Sequence, residues 1–146
     1  MNAQEYLSQA FYLDRQIQSK LAQIDCMRKL ASCISPRPTD QTPVSHTRNV
    51  HAMEDTILKI YEMNQELDAQ IDMLVDRKIE ISRVIAQVEN PEYQLVLEKR
   101  HLIFLAWSDI AVEMHCSVRT VLRIYARALE AVQEILDQKE FMKSTY

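Results

Sequence analysis

The chain runs to 146 residues without a single glycine. Glycine is the default residue wherever the backbone must take positive φ, as in tight hairpin turns, bulges and phosphate-cradling loops. A sheet protein of this size needs such positions repeatedly. A glycine-free chain is therefore steered toward long helices joined by few connections. The same absence removes P-loops, dinucleotide fingerprints and nucleophile elbows, all built on glycine. Hydrophobic residues make up 47% and charged residues 26%, enough for a packed core and against global disorder.

Hydrophobic spacing bears this out along the chain. Residues 2–32 read as a first helix, with apolar positions recurring from Tyr6 and Leu7 through Leu30 and Ala31. Pro36, Pro38 and Pro43 fall among small polar residues, which predicts a loop over about 33–49. The longest regular segment follows, over 51–88. Stepping by seven from Met53 gives Ile60, Leu67, Leu74, Ile81 and Val88, all apolar. Four residues on from each, the series reads Ile57, Asn64, Ile71, Lys78, Ile85. Such a heptad stripe, roughly 57 Å long at ~1.5 Å per residue, needs a partner helix. Two partners stand: the first helix folded back antiparallel, or the same helix of another subunit. Asn64 and Lys78 either set register in the core or sit at its edge with their polar ends in water.

Asn90, Pro91 and Glu92 mark the next start, since asparagine caps, proline suits the first helical position and an acid favours the helix N-terminus. The long helix should stop near 88–89, because a residue before proline is pushed out of helical φ/ψ. A third helix is expected over 91–103, with two more over 107–114 and 118–138 and a frayed tail at 139–146. The expected architecture is all-α: a helical hairpin in 1–89 and a three-helix, helix-turn-helix domain in 90–146.

The segment 107–129, WSDIAVEMHCSVRTVLRIYARAL, is the most specific stretch. Numbered as a helix-turn-helix, its inward positions are Ile110, Ala111, Met114, Cys116, Val121 and Ile124, all apolar. Ser117 stands where an N-cap belongs. Val118, Arg119, Leu122, Arg123, Ala126 and Arg127 face outward, the arginines lining up at i, i+4 and i+8. No acid occurs over 117–129. This is the pattern of a helix lying in a DNA major groove. The contact set expected from this spacing is Ser117, Val118, Arg119, Leu122, Arg123 and Arg127. Arg119 and Arg123 would reach base edges and Arg127 a phosphate. The plainer reading is a solvated face paired with Glu130 and Glu134. Lys99, Arg100 and His101 form a short basic cluster. Arg100 either packs its stem and pairs with an acid such as Asp109, or the cluster meets phosphate. Trp107 is expected in the core rather than as a stacking platform.

These residues resemble a known family. Segment 92–129 is similar to the fourth conserved region of bacterial sigma factors, the helix-turn-helix that reads promoter DNA. Trp107, Ile110, Ala111, Met114, Ser117, Val121, Ile124, Ala126, Ala128 and Leu129 match its motif. The preceding LEKRHLIFLAW matches its lead-in through Leu97, Arg100, Leu105 and Trp107. Nearly the whole chain, including MNAQEYLSQAFYLD and NPEYQ, resembles small phage and prophage proteins of Gram-positive bacteria known as sigma-like or late-transcription regulators. The resemblance implies base contacts at Val118, Arg119, Thr120 and Arg123. It departs in two turns, where the family has glycine and this chain has Phe104 and His115. Either the turns take another geometry or each bears a strain of order 1 kcal/mol. Nothing resembles the sigma regions that melt DNA or grip the polymerase clamp, so an accessory activator is implied.

Catalytic signals are scarce. His46, His51, His101 and His115 stand at no metal-ligand or general-base spacing, and Cys26, Cys33 and Cys116 form no CxxC pair. The cysteines are expected reduced and packed as small apolar residues. No apolar run approaches the ~20 residues of a membrane span, and no signal peptide opens the chain. The sequence thus predicts a cytoplasmic, non-enzymatic protein without metal or cofactor. Its expected function is sequence-specific, phage-type transcription regulation on double-stranded DNA. RNA polymerase is a further expected partner, and self-association is expected through the N-terminal helices. The formal net charge of −4 argues against non-specific coating of nucleic acid. It also keeps a second function open: a helical adaptor whose helix-turn-helix binds no DNA.

Overall fold

A computed structural model of the protein describes residues 1–33 and 43–146, with side chains for 1–32 and 51–146. The fold is all-α with five helices: α1 (Ala3–Cys33), α2 (Pro43–Ala86), α3 (Pro91–His101), α4 (Trp107–Glu113) and α5 (Val118–Ser144). α1 and α2 are long and packed antiparallel, and α3–α5 form a small C-terminal cluster. Contacts divide the chain into two units, Met1–Leu13 with Leu74–Tyr146, and Asp14–Met73.

In the unit Asp14–Met73, α1 buries Ile17 and Ile24, and α2 buries Leu67. Lys20 Nζ reaches Glu66 Oε2 across the helix pair at 2.8 Å. The first heptad series lies on the seam as expected, with Met53 and Ile60 half-buried. The second series does not. Ile57 and Ile71 remain 53% and 38% exposed, while Thr56, Met63 and Gln70 are half-buried. The seam steps three residues from Met53, Ile60 and Leu67, then four, as antiparallel heptad packing requires. The polar character of Thr56 and Gln70 hid this line in the sequence. Asn64 is half-buried.

The unit of Met1–Leu13 and Leu74–Tyr146 draws its core from every helix: Ala3, Leu7 and Ala10 from α1, Ile81, Val84 and Ile85 from α2, then Val88, Val96, Leu97, Ile110, Ala111, Val121, Tyr125, Ala128 and Val132. The first turn of α1 is tied to α5, where Ala3 N–H donates to Gln133 Oε1 at 2.7 Å. Burial and the Glu80 carboxylate hold the Tyr6 hydroxyl above the ordinary tyrosine range.

Asn90 caps α3 as its type predicts: its backbone is extended (φ −79°, ψ 119°) and Oδ1 accepts from Glu92 N–H at 2.9 Å. α2 ends at Ala86, two residues before the expected stop. Gln94 explains the early end, since Nε2 donates to Val88 O at 2.6 Å and to Ala86 O at 3.3 Å, supplying donors at the helix terminus. α3 stops at His101 rather than near 103.

Two further boundaries differ from expectation. α2 begins at Pro43, so 43–49 are helical rather than loop; proline fits a first helical position, where its missing N–H has no partner to lose. The rest of the expected loop, 34–42, lies outside the described residues. α5 continues past Gln138 to Ser144, because 139–143 hold no glycine or proline to stop it.

Candidate nucleic-acid interface

α4 and α5 are joined through residues 114–117, a connection of helix-turn-helix length. The turn resolves the missing glycine. His115 takes φ 54°, with His115 N–H bonded to Val112 O at 3.2 Å and Cys116 N–H to Ala111 O at 3.1 Å. That pair of bonds closes a Schellman motif with histidine in the left-handed position. Phe104 is the other positive-φ residue, at 63°. Its turn is wider: Ile103 N–H reaches Glu98 O at 3.1 Å and Leu105 N–H reaches Lys99 O at 3.0 Å. Both turns therefore keep the glycine-type backbone with a side chain in place. His115 is exposed, whereas Phe104 is half-buried edge-on to Phe11 (centroids 5.8 Å) and under Lys78 Nζ (4.7 Å).

Ser117 starts α5 from an extended backbone (φ −76°, ψ 156°). Its Oγ accepts from Thr120 N–H at 3.2 Å and lies 2.9 Å from Thr120 Oγ1. Of the six expected inward positions, Ile110, Ala111 and Val121 are buried, and Met114, Cys116 and Ile124 are half-buried. Cys26 is exposed, against the expectation that the cysteines pack as apolar residues. Cys33's side chain lies outside the description.

The buried line of α5 runs Val121, Tyr125, Ala128, Val132. Sequence reasoning missed Tyr125 and its partner His101, although spacings of four, three and four would have found the tyrosine. His101 is 4% exposed and stacks on Tyr125, with Nε2 and the phenol oxygen 3.0 Å apart. Burial, with Arg100 close by, lowers the imidazole from 6.5 to about 4; a backbone hydrogen bond with Leu7 acts the other way. Burial likewise raises the Tyr125 hydroxyl above its ordinary range, against a smaller lowering effect of Arg100. At neutral pH the imidazole is therefore uncharged.

The basic cluster on α3 serves structure. Arg100 Nη1 donates to Leu105 O at 2.9 Å, closing the wide turn, and its guanidinium stacks 4.4 Å from the Trp107 ring centroid. Trp107 is half-buried and edge-on to Tyr125, with centroids 4.7 Å apart. The acid pair forms one residue earlier than expected, between Lys99 and Glu113; Asp109 is exposed. Arg100 has no carboxylate partner among the described residues, because the tryptophan face and a carbonyl take its place.

What remains outside is the first half of α5. Ser117, Val118, Arg119, Leu122, Arg123 and Arg127 are exposed, and Thr120 is half-buried by its tie to Ser117. Among the described residues, Arg119, Arg123 and Arg127 form no ion pair or hydrogen bond with Glu130, Glu134 or any other group. The helix has no acid in its first turn, so the Arg119 guanidinium adds to the positive end of its dipole. Val118 (40% exposed) and Leu122 (43%) put apolar surface between them. Chemically, the face offers planar donors for phosphate or guanine and methyl groups for thymine.

Among the described residues, no grouping of His, Cys, Asp and Glu could hold a metal ion, and no helix is long and apolar enough to cross a membrane. No curated protein and no solved structure matches the chain. Residues 39–146 match the model of the family described as "Protein of unknown function (DUF1492)", and the chain belongs to that family.

Proposed function

We propose that this protein is a sequence-specific DNA-binding regulator of transcription, of the sigma-like phage type, acting in the cytoplasm by binding rather than catalysis. One observation carries the reading: three exposed arginines on one face of α5, without acid partners, on the second helix of a capped helix-turn-helix. Arg119 and Arg123 read base edges, with Val118, Thr120 and Leu122 beside them, and Arg127 meets phosphate. Ser117 caps the helix and brings its backbone N–H groups toward the same strand. Self-association through α1 and α2 would present two reading heads to a two-part operator. RNA polymerase is the natural further partner of an accessory activator.

The test is selection of the full chain against a random double-stranded DNA library at moderate salt. An enriched motif is expected. Arg119→Ala with Arg123→Ala should abolish sequence preference. Arg127→Ala should weaken all sequences alike and reduce the salt slope by about one. Equal binding of the double variant and the wild type to the selected site overturns the proposal. A second reading, a protein-binding adaptor, draws on the exposure of Val112, at 74%. RNA polymerase co-purifying with the chain while no motif is enriched would favour it.

A further inference from the structure

α2 carries apolar surface that α1 leaves uncovered. Ile57 is 53% exposed, Tyr61 59%, Ile71 38% and Val75 50%. These residues are not scattered. With Glu54, Asn64, Asp68 and Lys78 they form one alternating four-and-three series, a second coiled-coil seam about 100° round the helix from the first. Its central members, Tyr61 to Ile71, lie wholly within Asp14–Met73. Asn64 and Asp68 have no hydrogen-bond partner among the described residues.

The order of residues in this seam identifies its occupant. Place a two-fold axis at Glu66, so that a second α2 runs antiparallel to the first. Each residue then meets the one equally far on the other side of the axis. Tyr61 faces Ile71, Ile57 faces Val75 and Asn64 faces Asp68. Every one of these layers is apolar on apolar or amide on carboxylate. Sliding by one heptad destroys this match. Asp68 then falls against Ile57 or Ile71, and Asn64 against Tyr61 or Val75, leaving polar groups buried without partners. A parallel in-register pair sets Glu54, Asp68 and Lys78 each against its own copy, which places like charges together.

We propose that the exposed seam of α2 binds a second copy of this chain, antiparallel, about a two-fold axis at Glu66. Asn64 donates its amide hydrogens to the carboxylate of Asp68 in the second copy, and this pair selects the register, as a single buried polar layer does in helix dimers. The seam accounts for Ile57 and Ile71, which α1 leaves exposed. The proposal gives face, direction and register to the self-association suggested above, and it needs no DNA.

The test uses the full chain without DNA, so its outcome is separate from the DNA-binding assignment. Light scattering at tens of micromolar should give twice the monomer mass. Ile71→Glu places a second charge beside Asp68 and opposite Tyr61. Because symmetry repeats the change, dimer affinity should fall roughly 100-fold or more, with helical circular dichroism unchanged. Direction and register are read by oxidative cross-linking in a chain whose native cysteines are replaced by serine. Tyr61→Cys together with Ile71→Cys should join two chains covalently, and Tyr61→Cys alone should not. A monomeric wild type, cross-linking by the single cysteine, or an Ile71→Glu variant that stays dimeric would each overturn the proposal.

Discussion

Asp14–Met73 and the unit formed by Met1–Leu13 with Leu74–Tyr146 bury side chains on very different scales. Below a tenth of full exposure the first holds Ile17, Ile24 and Leu67; the second holds residues from all five helices, with Leu7, Ile81, Ile85, Leu97 and Ile110 at zero. Two helices meet along a line, so each can hide only a strip. Enclosing a side chain on all sides takes neighbours from several directions. α3, α4 and α5 supply those neighbours, and the same packing fixes the exposed arginine face of α5.

The comparison can be broken by one pair of substitutions. Ile110→Ala should lower stability by about 4 kcal/mol, as for an enclosed site that cannot collapse, and Leu67→Ala by about 2 kcal/mol. Trp107, the single tryptophan, reports the first by fluorescence during urea unfolding; circular dichroism reports the second. Equal losses would mean that the two-helix strip is enclosed by something else. Acid is the next lever. His101 titrates near 4 when folded and near 6.5 when free, so the unfolded chain takes up its proton first as pH falls. Stability from this group is complete above about pH 7 and declines toward pH 4, by about 3 kcal/mol in all. His101→Gln should flatten that part of the pH profile followed through Trp107, whereas an unchanged slope would place its origin elsewhere. The smallest effects separate the two turns. His115→Gly should raise stability by up to about 1 kcal/mol, since the exposed side chain gives little in return for its left-handed backbone. Phe104→Gly should lower it by about 1–2 kcal/mol despite the same backbone relief, because the contact with Phe11 is lost. A thermal melt of each variant checks the opposite signs.

Much of the fold could be read from residue type and spacing. Asn90-Pro91 and Ser117 mark helix starts by capping chemistry that is local and strong, and both caps form. The row Arg119, Arg123, Arg127 is exposed because its spacing puts it opposite Val121, Tyr125 and Ala128. Other features depend on distant partners. Nothing local in Gln94 shows that it caps the end of α2. His101 and Tyr125 are polar types that enter the core only because each satisfies the other. Thr56 and Gln70 line the first seam, while the more apolar Ile57 and Ile71 stay outside it, so hydrophobicity alone misplaced that face. Phe104 and His115 hold backbones that glycine would ordinarily mark, and their neighbours' hydrogen bonds impose them.

The tie between Ala3 and Gln133, together with Leu7 beside His101, has a consequence for how the chain is made. Residues 3–10 belong to the same core as Val132, yet some 120 residues separate them. The start of α1 can meet α2 once residues 74–86 are made, since Tyr6 lies beside Glu80, but its tie to Gln133 can close only when most of α5 is present. Loop closure over such a distance is slow compared with the winding of any single helix, so this core is completed from both ends of its chain.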